Sequence, residues 1–146
     1  MDTFDTFSVA KLVKLLESPL DTNVTWCYHL ETPITRAEVR ALLDSGESLI
    51  SPDQVERRGY HQDIYTFNRR EGVDYRHYHA SRIAWMVKNY EEMWPINIEF
   101  GLPGTRCEPY VVDGNHRFAA AIYLKKETIQ ATWGGSVEVA KSCMSN

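Results

Sequence analysis

An excess of basic residues is the first thing this chain lacks. Its 146 residues carry 16 lysines and arginines against 20 aspartates and glutamates, a formal net charge of −4. That balance argues against non-specific, whole-surface attraction to nucleic acid or to an anionic membrane. A local basic groove stays compatible with it, because the fields that matter are local. Cysteine is scarce too: Cys27, Cys107 and Cys143 are odd in number, far apart and without a Cys-x-x-Cys pair. That usage fits a reducing cytoplasm and offers no zinc framework. The start, Met1-Asp2-Thr3-Phe4-Asp5, is acidic and has no secretion-signal pattern. No apolar run approaches the length of a membrane span, so no membrane partner is expected. Internal repeats, low-complexity tracts and linkers are also missing. With 43% hydrophobic and 25% charged residues, the chain reads as one cytoplasmic domain large enough to bury a core.

The periodicity of what remains is mixed. Ser8 is a candidate N-cap, and Val9, Leu12, Val13, Leu15 and Leu16 recur at helical spacing up to Glu17, where Ser18-Pro19 stops them. Val24 to Leu30 is β-branched and aromatic and predicts a strand. Thr35 with Glu38 forms a capping box for a helix through Val39, Leu42 and Leu43 that ends at Ser45-Gly46. From about 47 to 77 no period holds, so this region reads as a long loop with at most one short helix. An apolar helix then runs from Tyr78 to about Met93, closed by Pro95. Ile96, Ile98 and Phe100 alternate with Asn97 and Glu99 as a half-buried strand, and Gly101 to Gly104 turns the chain. A strand around Tyr110 to Val112, a helix after Gly114, a strand from Thr128 to Trp133 and a short helix capped by Ser136 complete the order. The fold class expected is α+β, a single domain with a small mixed β-sheet flanked by helices.

Five residues carry the chemistry: Asp113-Gly114-Asn115-His116-Arg117. They join an extended apolar run, Pro109 to Val112, to the alanine-rich Phe118-Ala119-Ala120-Ala121 stretch, which favours helix. Free N–H groups at a helix N-terminus attract phosphate, and a guanidinium can grip it with two parallel hydrogen bonds. Asp-Gly is also a common turn pair, and alone would mean only a strand-to-helix joint. That reading gives no reason for His and Arg to follow at the helix start. Asp113 has the wrong sign for a phosphate site and would cap the helix, orient Arg117, or hold Mg²⁺ beside a nucleotide. His116, with a free-imidazole pKa of ~6.5, suits either a general acid–base or a simple donor to a phosphate oxygen, the donor being favoured for want of a second catalytic partner.

The run Trp94-Pro95-Ile96-Asn97-Ile98, the Asp113 to Arg117 turn with its alanine-rich helix, and the strand that follows resemble the ParB/sulfiredoxin-like superfamily, and in particular short single-domain members found in phages and mobile elements. The resemblance covers about residues 78–133; the N-terminal helices and the loop 47–77 would be appended to that core. It implies a small α+β fold that binds nucleotide phosphates at the turn. Gly114 would let the backbone approach the phosphates, and His116 and Arg117 would contact them. Two departures stand out. Asn115 occupies the place of the cysteine with which sulfiredoxins attack their substrate, and an amide cannot do that chemistry. The ParB box usually reads Glu-Arg-Arg where this chain has Asn-His-Arg. No ParB-type helix-turn-helix is expected after the last strand.

The stretch from Arg57 to Arg82 holds six of the ten arginines and three of the five histidines, with Tyr60, Tyr65, Phe67, Tyr75 and Tyr78 interleaved. It fits a loop closing over a nucleotide base, a groove for single-stranded nucleic acid, or a solvated loop diluted by Glu56, Asp63, Glu71 and Asp74. Arg82 and His79, at the start of an expected helix, are the members chosen to reach the site. His77 and His79 lack a third ligand, so no metal site is assigned. Trp26, Trp85, Trp94 and Trp133 are expected in the core or at its edge. The function expected is a nucleotide- or phosphate-binding protein that hydrolyses or transfers phosphate, with His116 and Asp113 as catalytic candidates and Gly114, Asn115, His116, Arg117, Arg82 and His79 as the binding set. ATP, CTP or GTP, with or without Mg²⁺, is the expected ligand. The competing readings are a ParB-like nuclease or other DNA-acting protein, and a phage or plasmid protein that blocks a host protein.

Overall fold

The computed structural model describes residues 4–16, 18, 20–22, 25–27, 29–66, 69–92 and 94–145. Ser8 does two jobs at the start. It ends strand β1 (Asp5–Ser8), and its hydroxyl accepts from Lys11 N at 3.3 Å to cap α1 (Val9–Leu15). Thr35 and Glu38 form the expected capping box of α2 (Arg36–Ser45), and Gly46 closes that helix in the left-handed region. Next come α3 (Pro52–Arg58), α4 (Tyr60–Thr66) and α5 (Tyr75–Lys88), then a 3₁₀ turn at Tyr90–Glu92. The second half alternates: β2 (Ile96–Glu99), β3 (Tyr110–Asp113), α6 (Asn115–Tyr123), β4 (Thr128–Gly134) and α7 (Val137–Cys143), the last capped by Ser136 as expected.

The four strands form one mixed sheet in the order β1-β4-β2-β3. β1 lies antiparallel to β4 with Phe7 opposite Ile129, β4 runs parallel to β2 with Ile98 opposite Trp133, and β2 pairs antiparallel with β3. Helix α6 carries the chain from β3 back to β4, the crossover that a parallel pair requires. This is the single α+β domain expected, with seven α-helices among the described residues. No helix among the described residues is long and apolar enough to cross a membrane.

Three expectations need correction. The Val24–Leu30 strand does not form: Thr25, Trp26, Cys27, His29 and Leu30 lie in bends and turns, closed by a Leu30 N to Cys27 O bond of 3.0 Å, while Val24 and Tyr28 fall outside the described residues. Among the described residues no strand pairs with this segment, and Cys27 and Leu30 bury against α2 and α5. The long loop contains two helices. Ser51 caps α3 with Pro52 at its start. Helix α4 is tied down by buried Asp63, which accepts from Arg70 Nε at 2.8 Å and from the Tyr75 hydroxyl at 3.2 Å. Finally, α5 begins at Tyr75, capped by Asp74, and stops at Lys88, short of Met93, which is outside the described residues.

Two apolar clusters meet at α6. Phe118 and Ala121 face the sheet core of Phe7, Leu12, Ile96, Ile98 and Phe100. Ala119 faces a helical core of Ile34, Val39, Leu42, Ile83 and Ala84. Arg36 locks the far end of α6, donating from Nη1 to Tyr123 O at 2.6 Å and from Nη2 to Ile122 O at 3.2 Å. A cation on the last carbonyls of a helix is favourable, and Ile122 O also accepts from Lys125 N at 3.1 Å.

The near end of α6 depends on Gly114. Its φ of +101° lies where a side chain is strained, and a Cβ there would sit 2.6 Å from Ile96 Cγ2, a core atom that cannot swing away. Gly114→Ala is therefore expected to cost about 2–4 kcal/mol in chemical denaturation. Gly72→Ala, at φ +80° with nothing within 4 Å, should cost clearly less. Equal losses for the two variants would remove packing on Ile96 from the account.

Candidate functional site

The turn from β3 into α6 opens on a cavity of about 570 Å³. Asp113, Gly114, His116 and Arg117 line it from the turn, Arg82, Trp85 and Met86 from α5, and Val55, Glu56 and His61 from α3 and α4, with Trp94 and Pro95 at the rim. Thus four of the five turn residues and Arg82 share one hollow. Asn115, the first residue of α6, is half-buried and off the cavity wall. His79 is fully buried behind it.

Helix α6 starts without a side-chain cap: Gly114 supplies none, and Phe118 N bonds back to Gly114 O at 2.8 Å. Asp113 does not cap the helix. Its carboxylate accepts from Arg117 Nη2 at 3.0 Å, the orienting role among those expected. Arg117 is heavily committed, since Nη1 also donates to Trp94 O at 2.9 Å and to Pro95 O at 3.1 Å. Its guanidinium works as a strut between the turn and the Trp94-Pro95 corner.

Behind the turn lies a histidine pair. His79 Nδ1 and His116 Nε2 are 2.9 Å apart. Trp26 meets both rings edge-on, with centroids 4.6 Å from His79 and 5.0 Å from His116. His79 Nε2 is buried with no partner. An orphaned buried N–H costs more than an orphaned lone pair can, so the favoured tautomer leaves Nε2 bare and places the proton on Nδ1. His79 then donates to His116 Nε2, and His116 carries its own proton on Nδ1. In that tautomer Nδ1–H is the remaining donor of a residue that lines the cavity. Burial holds His79 down to about 3, with the charges of His29 and Arg82 adding to it. Burial also holds His116 well below the ordinary imidazole value, helped by His79, Arg82 and Arg117. Both rings are neutral at pH 7.

Arg82 is the most unusual residue in the cavity wall. It is only 7% exposed. Nη1 donates to Ile50 O at 3.1 Å, Nε has no partner, and the guanidinium lies beside the Tyr78 phenol, whose pKa burial pushes up to about 12. Among the described residues no carboxylate ion-pairs with it. Among those residues, too, no three His, Cys, Asp or Glu side chains converge on a metal position.

Two tryptophans stand where a reading of the sequence does not put them. Trp94, expected at the core edge, is 81% exposed, because its own carbonyl and that of Pro95 are held by Arg117 while the ring projects outward. Trp26, expected in a strand, seals the histidine pair. His79, Arg82 and Met86 recur at i, i+3 and i+7 on α5, a spacing that puts them on one helix face. That signal was available in the sequence and was masked by the apolar residues between them. Comparison with family models, curated proteins and solved structures finds no match to this chain.

The pair makes stability depend on pH. With folded-state pKa values depressed below ~6.5, the unfolded chain binds more protons than the folded one between that value and about 3. Stability is complete above pH ~7 and falls as pH drops through that window. His79→Asn keeps a donor near His116 and removes one titrating ring. Urea unfolding from about pH 7 to about pH 4.5 should show a smaller loss for this variant than for wild type; parallel curves would exclude His79 as a cause.

Proposed function

We propose that this chain is a nucleotide- or phosphate-binding protein whose phosphate sits at the β3–α6 turn. The observation that carries the reading is Arg82, a buried cation with no ion-pairing carboxylate among the described residues, lining an open cavity beside an uncapped helix start. A buried charge is costly unless compensated, and an anionic ligand would be its counter-ion. The neighbouring polar groups favour the same ligand. His116 offers Nδ1–H, and the first N–H groups of α6 lack helical partners. Phosphate oxygens accept from all of these. A cavity of about 570 Å³ lies within the ~300–1,000 Å³ range of small-ligand sites.

On this reading Arg82 and His116 bind phosphate directly. Arg117 and Asp113 hold the turn in shape, and His79 fixes the tautomer and orientation of His116. Hydrolysis or transfer of the phosphate is the chemistry such a cradle supports, through stabilisation of charge on the phosphoryl oxygens. Mg²⁺ bound to the phosphates would neutralise part of that charge. Asp113, a carboxylate in the cavity wall, would contribute to its hold as a single ligand.

Calorimetric titration with ATP, CTP and GTP, each with and without Mg²⁺, tests the proposal. At least one should bind wild type, and Arg82→Gln should weaken it tenfold or more, roughly the loss of one charge-assisted hydrogen bond. Arg82→Gln is expected to stay folded, because it removes an uncompensated charge. Arg117→Ala is the poorer probe, since it also cuts the strut to Trp94 and Pro95. Failure of all three nucleotides to bind wild type would end the reading.

A further inference from the structure

Resting on the phosphate site just proposed, we infer that the ligand is a mononucleotide and that the indole of Trp94 is the platform on which its base stacks. Trp94 is an aromatic cavity residue whose backbone is tightly held while its side chain is left in solvent. Arg117 Nη1 donates to both its carbonyl and that of Pro95, and Asp113 holds the other end of the same guanidinium. The ring nevertheless stands 81% exposed. It borders the cavity of about 570 Å³ and also a second hollow of about 310 Å³ shared with Tyr90 and Gln130. An indole in that setting adds little to the core, and its exposure is unfavourable. Covered by a planar aromatic group, it would gain one of the stronger stacking contacts available.

The strut also ties the platform to the phosphate turn. One guanidinium bonds Trp94, Pro95 and Asp113, so the base end and the phosphate end of the cavity are held relative to each other before anything binds. Such preorganisation lowers the ordering cost of binding. An inorganic phosphate would make no use of Trp94. A strand of nucleic acid fits less well than a single nucleotide, because it needs a continuous basic track and Glu56 interrupts the one at this cavity.

The test compares inorganic tripolyphosphate with ATP, CTP and GTP on wild type, Trp94→Phe and Trp94→Ala, by calorimetry. Because Trp94 is exposed, the substitutions should leave the fold intact, which circular dichroism checks. The best nucleotide should bind wild type about tenfold or more tighter than tripolyphosphate. Trp94→Ala should bring it down to the tripolyphosphate level with tripolyphosphate itself unchanged, and Trp94→Phe should lie between. Equal affinity of wild type for tripolyphosphate and the best nucleotide overturns the inference and leaves the phosphate site standing. So does an equal loss of both in Trp94→Ala, which would make the residue part of the turn. Tighter binding of a single-stranded oligonucleotide than of any mononucleotide overturns it in favour of nucleic acid. Binding of neither tripolyphosphate nor nucleotide overturns the phosphate site and this inference together.

Discussion

The close packing of α5 against α6 is the constraint on which the site depends. It is made possible by small side chains, Ala80 and Ala84 on one helix and Ala119 and Ala120 on the other, each no more than 3% exposed. Larger residues there would push the axes apart, and the distance between His79 and His116 would open with them. At the observed separation the imidazoles meet at 2.9 Å, and Arg82, one turn further along α5, reaches the start of α6. Because Phe118 and Ala121 anchor α6 to the sheet, the position of the turn is set by the sheet core and that of Arg82 and His79 by the helical core. The cavity wall belongs to both.

That arrangement gathers donors and positive charge in a protein that is acidic overall. Burying a guanidinium without a carboxylate carries a desolvation cost of several kcal/mol, of the order known for buried ions. The structure offsets part of it with the Ile50 carbonyl and the Tyr78 phenol, both neutral. It also avoids adding to it: the two histidines nearest the turn stay uncharged. A protonated His116 would face Arg82 and Arg117 together. Neutral donors beside one buried cation form a site that favours an anion without the full repulsion of three neighbouring positive charges. The net charge of −4 says nothing about this, because among the described residues no carboxylate ion-pairs with Arg82 and that cation is enclosed.

Much of this was legible in the sequence, and the rest was not for physical reasons. The caps at Ser8, Thr35 and Ser136 were readable because capping is local chemistry between residues three apart. Strands β2, β3 and β4 were readable from their short β-branched runs, and the Asp113 to Arg117 turn from its composition. Trp26 and Cys27 misled because β-propensity reflects packing on a sheet surface, and here they pack in the helical core. Strand β1 was missed for the opposite reason: a polar four-residue edge strand is defined by its partner, β4. Helix α3 had its signal in Ser51-Pro52, but only Val55 is buried in it, so no apolar period announced it. The His79–His116 contact joins residues 37 apart in sequence, and no local pattern reports such a pairing. Arg82 and His79 were singled out for standing at a helix start, whereas what matters is the face of α5 they share with Met86.

The two arginines divide the work between them according to their surroundings. Arg117 stands in the motif position where a phosphate-gripping residue is expected, yet its fork is already filled by two carbonyls and a carboxylate. A guanidinium so occupied has little left to give a ligand without breaking contacts that hold the turn. With Asp113 it also forms a pair that is close to neutral. Arg82 has the opposite balance, with one carbonyl, the neutral Tyr78 phenol, an unpartnered Nε and, among the described residues, no ion-pairing carboxylate. A ligand phosphate therefore gains more from Arg82 than from Arg117, although only Arg117 sits in the recognisable box. The motif locates the cavity, and the uncompensated charge is the ground for the proposal that an anion binds there. The same reasoning gives Asn115 no reactive part: at the first position of α6 and off the cavity wall, its amide can support the backbone there but brings no nucleophile to the phosphate.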